Sequence, residues 1–263
     1  MKVLQQIVDT KRDEVERAKR RLPIEVLRDL SRPTPSPFRL SRALVDTPIP
    51  RVIAEVKRAS PSAGIIRSGR WDPQALAAEY ADGGACALSV LTDIQFFWGD
   101  PNSLEGCAKA SGLPVLRKDF IVDPYQVDES RWLGADAVLL IARVLAPETL
   151  LECAARARSL GMDALVEIHH DRELEVALAA DDAVIGVNHR DLDTLEIDLG
   201  LSARLRDRIP SQRITVAESG VSSSEQVARL VGRGYENFLI GEHLARHDAP
   251  ASALRSLRAV GPG

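Results

Sequence analysis

Two charges lie two residues apart in an otherwise apolar run, Glu55 and Lys57 in VIAEVKRASPS, residues 52–62. Val52, Ile53, Ala54 and Val56 have the β-branched, apolar character of a strand buried on both faces, so Glu55 and Lys57 point to one side of it. A carboxylate and an ammonium in that setting are costly unless they pair or do chemistry. Ser60, Pro61, Ser62 and Gly64 follow as loop, which puts both charges at the carboxyl end of the strand beside a polar turn. Taken alone, the stretch also admits a plain ion pair between Glu55 and a neighbour on a sheet edge. The pattern recurs, however. Lys118 and Asp119 in LRKDF, Glu167 in LVEIHH, Asn188 and Arg190 in GVNHRDL, and Glu218, Ser219 and Gly220 in AESG each close an apolar run. Solvation does not ask for a charge in the last buried turn of one strand after another, whereas an acid/base site fed from several strands does.

Such a site needs a frame that brings separate strand ends together. From Val52 onward one unit repeats: apolar strand, polar loop, amphipathic helix, Gly turn, next strand. Eight strands are expected, at 52–57, 85–92, 114–119, 135–142, 164–168, 183–188, 213–219 and 237–241, spaced roughly 20 to 33 residues apart as strand plus helix requires. Asp72-Pro73 and Asp123-Pro124 each place a capping acid before a proline at the first helical position, Pro147 opens another helix, and Ser222 with Glu225 reads as a capping box. The fold class is α/β, a closed (β/α)8 TIM barrel, with an open doubly wound sheet as the rival; no GxGxxG follows the first strand, which weakens that rival. Residues 3–21 have helical periodicity and Leu40–Val45 forms a short apolar helical piece beyond a passage rich in Pro33, Pro35 and Pro37. Residues 1–48 are therefore expected to be an N-terminal helical extension packed on a catalytic barrel of residues 49–263, one structural domain.

Composition narrows the function further. The chain has 263 residues, 45% hydrophobic and 27% charged, with a net charge of −4 and a pI near 5.8. That balance lacks the basic field of a nucleic-acid binder, and no apolar run is long enough to span a membrane. The N-terminal segment has no secretory-type apolar core, so a cytoplasmic protein is expected. Cys86, Cys107 and Cys153 are odd in number and far apart, without metal or disulfide spacing, and read as reduced core filler. After the seventh and eighth strands, Ser219-Gly220 and Gly241-Glu242 lead into helices; such loops expose N–H groups and favour a phosphorylated small molecule. Ser60 and Ser62 have no nearby histidine and suit ligand contact or turn chemistry. His169 and His170 lack a second ligand set, so no metal is assigned; His189, His243 and His247 are placed at the surface or behind the site. Phe96, Phe97 and Trp98 either cap the barrel top or meet a ring at the far end of the ligand.

With these residues assembled, the sequence resembles the indole-3-glycerol phosphate synthase family. AEVKRASPS, SVLTD, PVLRKDFIVDPYQ, GADAVLLIA, LVEIH, GVNHRDL, AESG and LIGEHL match its motifs in order, from the first helices to the last. The resemblance implies a monomeric or weakly associating barrel that acts, without a cofactor, on 1-(2-carboxyphenylamino)-1-deoxyribulose 5-phosphate in tryptophan biosynthesis. It implies Lys118 as the general acid of ring closure, which asks for a lysine of lowered pKa, and Glu167 as its partner in dehydration. Lys57 resembles the family's second lysine. Glu55 and Asn188 would hold the lysines and the substrate hydroxyls, and Arg190 and Ser60 would meet the anthranilate carboxylate. Glu218, Ser219, Gly220, Gly241 and the backbone of Glu242 would grip the phosphate, and the ring would rest among Phe97, Phe120, Leu139 and Leu192. Gln95, Asp100, Ala63 and Glu242 depart from common family residues; a carboxylate at Glu242 must point away from a phosphate. The nearest alternatives are a phosphoribosylanthranilate isomerase-like barrel, which wants Cys and Asp where Lys57 and Glu167 stand, and a non-catalytic barrel that kept the phosphate site.

Overall fold

The computed structural model describes residues 3–30, 39–61, 63–67 and 69–259; the passage around Pro33, Pro35 and Pro37, and Ser62, lie outside the described residues. Apolar runs too short for helices become parallel strands: β1 Arg51–Val56, β2 Ala87–Leu91, β3 Val115–Lys118, β4 Ala137–Ile141, β5 Asp163–Ile168, β6 Val184–Asn188, β7 Thr215–Glu218 and β8 Asn237–Ile240. Each pairs with its neighbour in sequence, and β1 closes the ring by pairing β8, Arg51 opposite Asn237 and Ala54 opposite Ile240. The chain is a closed (β/α)8 barrel. Six strands lie within the expected limits, a residue or two shorter at one or both ends, while β1 and β5 each begin one residue earlier, at Arg51 and Asp163. Arg213, for example, stays out of β7 because its guanidinium binds the carbonyls of Ala177, Leu178, Ala180 and Ala183 at the end of the preceding helical unit. The loop after β1 carries a two-residue antiparallel ladder, Ala59 opposite Ile65 and Ser60 opposite Gly64, where plain loop was expected.

Helix starts follow the capping chemistry with small shifts. Asp72 accepts from the Ala75 N–H ahead of Pro73–Asp82, and Pro147 opens Pro147–Ser159. Pro124 sits at the cap rather than the first helical position, with Asp123 accepting from the Tyr125 N–H. Ser223, not Ser222, caps Ser224–Val231 by accepting from Gln226, whose own side-chain oxygen takes the Ser222 N–H.

Alternation along the strands sorts the core into two layers. Val52, Ala54, Val115, Val138, Leu140, Val166, Ile185 and Phe238 face outward into the shell between strands and helices. Ile53, Leu116, Leu139, Leu165, Val216 and Leu239 face inward and fill the barrel. On β1, β3, β5, β6 and β7 the next inward position is Glu55, Lys118, Glu167, Asn188 or Glu218, so an apolar plug supports a polar layer at the carboxyl ends. Truncating one of these plug leucines to alanine should remove about 2–5 kcal/mol of stability.

Among the described residues three helices precede the barrel, α1 Val3–Arg21, α2 Ile24–Leu30 and α3 Leu40–Asp46. They serve opposite ends. Leu40 and Leu44 of α3 join the interior cluster, and Arg39 and the Ser41 N–H both bind Asp163, the first residue of β5, which fixes α3 under the amino end. Ile7 of α1 joins the same cluster from the carboxyl end. No described helix is long and apolar enough to cross a membrane. All three cysteines are free and buried; burial pushes the Cys86 thiol up to about 11 and those of Cys107 and Cys153 up to about 12.

Candidate active site

The polar layer opens into a cavity of about 470 Å³ at the carboxyl ends of the strands. Glu55, Lys57, Ser60, Phe97, Lys118, Phe120, Leu139, Glu167, Asn188, Arg190, Leu192, Glu218, Ser219, Gly220, Gly241 and Glu242 all line it. At its centre Lys118 Nζ lies 2.6 Å from Glu167 Oε2 and 3.5 Å from Glu218 Oε2. Lys57 pairs with Glu55 at 2.5 Å. Three separated segments thus bring Lys57, Lys118 and Glu167 to one chamber.

Two buried carboxyls beside one ammonium cannot share it equally. Burial alone would lower the Lys118 pKa, but Glu167 first, then Glu218 and Glu55, reverse this and hold it above its ordinary value. The lysine is therefore a firmly charged donor, not the lowered-pKa acid expected from the sequence. Burial pulls Glu167 upward, yet Lys118 and then His169 carry it well below the usual carboxylate range. Burial, and next the charge on Glu167, push Glu218 well above that range. The result is two carboxyls whose pKa values are driven apart around one ammonium, the separation of like groups that acid/base sites use. Glu218 and Glu167 also interact directly through a side-chain hydrogen bond, which adds to the separation of their pKa values.

Room for this cluster comes from two glycines. A methyl on Gly186 of β6 would collide with Glu218 Oε1 and stand 2.7 Å from Leu165 Cδ2; one on Gly241 would collide with Glu55 Oε1. The Glu218 side chain was expected at the phosphate grip, but it points into the barrel toward Lys118, leaving the turn after it to Ser219 and Gly220. That turn places consecutive residues in the left-handed region, Ser219 at φ 64° and Gly220 at φ 76°, a strained arrangement for a serine that aims backbone N–H groups outward. His189 braces it. The Ser219 carbonyl can only accept, so His189 Nδ1 donates to it at 2.8 Å, and Nε2 accepts from the Ser202 hydroxyl at 2.5 Å. His189 is buried, which lowers its pKa in keeping with a neutral ring.

The rim residues are held by their own loops and by one another. Asn188 Oδ1 accepts from the Arg190 backbone N–H at 3.0 Å rather than holding a lysine. Ser60 Oγ accepts from the Ala63 N–H in its own loop at 3.2 Å. Arg190 places Nη2 3.3 Å from Glu242 Oε2 and donates from Nη1 to the Leu195 carbonyl. Glu242 also accepts from Arg246 at 2.8 Å, and that bond leads the effects holding its pKa down. Its charge is thus turned to two guanidiniums.

At the apolar side, Asp93 accepts from the Phe96 and Phe97 N–H groups at 2.7 and 3.3 Å and so starts the short helix Ile94–Phe97. Phe97 then meets Phe120, ring centroids 5.9 Å apart. Trp98 turns away from the cavity, under the Arg58 guanidinium. Sequence reasoning missed several contributors, among them His243, which lines the cavity although it was placed at the surface or behind the site. Val3, Leu4 and Ile7 of α1, and Arg246, also line the cavity; the first three belong to a helix outside the repeating units, and only the helical spacing of their apolar face hinted at burial. His169 is fully buried with Nε2 3.2 Å from Glu167 Oε1, and His170 turns to Asp191. Among the described residues no group of three His, Cys, Asp or Glu side chains has metal-binding placement.

Fold and site together define a (β/α)8 barrel with lysines and carboxyls gathered in one chamber at the carboxyl ends of its strands. The family model described as indole-3-glycerol phosphate synthase matches residues 4–257. A protein of that name from Dehalococcoides mccartyi (strain CBDB1) is 45% identical over 259 residues, spanning 97% of this chain and 99% of its own. One named indole-3-glycerol phosphate synthase 2, from Ralstonia nicotianae (strain ATCC BAA-1114 / GMI1000), is 49% identical over 206 residues, 78% of this chain and 76% of its own. The chain belongs to the indole-3-glycerol phosphate synthase family. Among solved structures, a 3-hexulose-6-phosphate synthase superposes with a TM-score of 0.63 at 18% identity, covering 80% of this chain and 99% of that one. KGPDC from Streptococcus mutans does so with 0.61 at 12%, covering 80% and 96%. At those identities the likeness is one of fold.

Proposed function

We propose that this chain converts 1-(2-carboxyphenylamino)-1-deoxyribulose 5-phosphate into indole-3-glycerol phosphate, a carbon–carbon lyase reaction of tryptophan biosynthesis that releases carbon dioxide and water. The observation that carries the reading is the Lys118 ammonium held between Glu167 and Glu218, with an aromatic wall on one side and the Ser219-Gly220 and Gly241 turns on the other. As the carboxyl-bearing ring carbon attacks the ribulose carbonyl carbon, Lys118 gives a proton to the carbonyl oxygen, and the carboxylate then leaves as carbon dioxide. The hydroxyl formed in closure takes a proton from a lysine ammonium and leaves as water, while Glu167, next to Lys118, takes the proton from the adjacent carbon. Lys57, held by Glu55, faces the substrate carboxylate or phosphate, and Arg190 exchanges Glu242 for the anthranilate carboxylate in a forked contact. The phosphate sits on the N–H groups at Ser219, Gly220, Gly241 and Glu242. A single domain, monomeric and cytoplasmic, with no cofactor, completes the reading.

Purified protein given the carboxyphenylamino sugar phosphate should develop indole fluorescence and release one carbon dioxide for each indole formed. No fluorescence at any substrate concentration would remove the assignment.

A further inference from the structure

Lys11 is a lysine on the outermost helix of the chain, yet it is only 4% exposed. Its ammonium lies 2.8 Å from Glu14, its neighbour on α1, and 3.0 Å from both Asp93 Oδ2 and Asp119 Oδ1. The two aspartates come from different strand ends, and each also fixes part of the aromatic wall. Asp93 Oδ1 accepts from the N–H groups of Phe96 and Phe97. Asp119 Oδ1 accepts from the N–H of Phe120, two residues beyond Lys118 in the chain. On α1 itself, Leu4 and Ile7 precede Lys11 by seven and four residues on the same helical face, and they line the cavity.

We propose that Lys11 is a positioning residue: by bridging Asp93 and Asp119 it locks α1, the Phe97 turn and the segment after Lys118 into one wall that receives the aromatic end of the substrate. A solvated lysine would make a weak, salt-screened tie. Here its loss leaves Asp93 and Asp119 buried and facing each other, and their repulsion parts the two segments that carry Phe97 and Phe120. The inference rests on the proposed reaction, whose substrate carries that ring.

Lys11→Met tests it by steady-state kinetics with the carboxyphenylamino sugar phosphate and by amide hydrogen exchange. The expected result is a KM raised about tenfold or more with a smaller change in kcat, and faster exchange along α1 while the barrel strands keep their protection. Asp93→Asn keeps an oxygen for the Phe96 and Phe97 N–H groups but removes the charge opposite Lys11. It moves KM the same way by a smaller factor, and decides the matter if Lys11→Met does not fold. A folded variant with KM within about twofold of the unaltered chain, even at a lower Tm, makes Lys11 a structural tie only and overturns the proposal. If the unaltered chain forms no product, the reaction assignment falls instead. Anthranilate binding followed by fluorescence then decides: affinity weakened by Lys11→Met supports the positioning role, and equal affinity overturns it.

Discussion

Arg117 and Lys118 are neighbours on β3, both buried and both cationic, and they point to opposite faces of the sheet. On the outer face, Arg117 spends every guanidinium nitrogen: Nε on Thr92, Nη1 on Glu129, Ser130 and the Gln126 carbonyl, Nη2 on Asp119. Its partners bond in turn, Asp119 to Thr92 at 2.6 Å and to Lys11. On the inner face, Lys118 meets two carboxyls with one charge, and burial and the neighbouring Glu167 push the pKa of Glu218 well above the usual carboxylate range. A saturated, charge-matched network stabilises structure. A crowded one, in which two carboxyls compete for one ammonium, is poised for chemistry.

Breaking each face should therefore have a different signature. Lys118→Met should lower kcat about 10²- to 10⁴-fold, and Glu167→Gln should do likewise, each with a smaller loss of stability than at Arg117 because the carboxyls left behind can take up a proton. Arg117→Met should do the reverse, leaving Asp119 and Glu129 uncompensated and removing about 3–5 kcal/mol from the unfolding free energy in urea titrations. Equal stability losses in both variants would erase the contrast.

The pH dependence sharpens it. Burial raises the Asp119 pKa, but Arg117 and then Lys11 outweigh it and hold the carboxyl at about 2, against 3.8 when unperturbed. Its stabilising effect is complete above the unfolded value and disappears as the pH falls toward 2, so unfolding free energy should drop by about 2 kcal/mol across that window. Asp119→Asn should lack this drop. Glu218 runs the opposite way: its folded pKa is raised above the reference of 4.5, so its effect is full below that value and declines as the pH rises. Glu218→Gln should flatten that decline. The smallest change tested is one methyl. Gly186→Ala, which crowds Glu218 and Leu165, should lower kcat by about tenfold with KM little altered.

Much of this arrangement is legible in the chain itself, for an identifiable reason. Each strand is a local apolar run with its charge at one end, so Glu55, Lys118, Glu167 and Asn188 can be placed from periodicity, and the repeat puts them on one rim. What escapes reading is set by distance across the chain. Lys11 looks like one more charge on an amphipathic helix, because Asp93 and Asp119 are 82 and 108 positions away. The inward turn of Glu218 depends on a missing side chain at Gly186, and the raised pKa of Lys118 on two carboxyls from other strands. Ser223 displaces Ser222 as the cap by a single step, within the usual uncertainty of helix ends.

The central claim is that Lys118 and Glu167 flank the reacting carbon. A crystal structure of Glu167→Gln with the carboxyphenylamino sugar phosphate bound tests it most directly. Lys118 Nζ is expected at about 3 Å from the ribulose carbonyl oxygen, with the ring between Phe97 and Phe120. A bound substrate whose carbonyl lies beyond the reach of Lys118, with the lysine still turned to other carboxyls, would contradict the account.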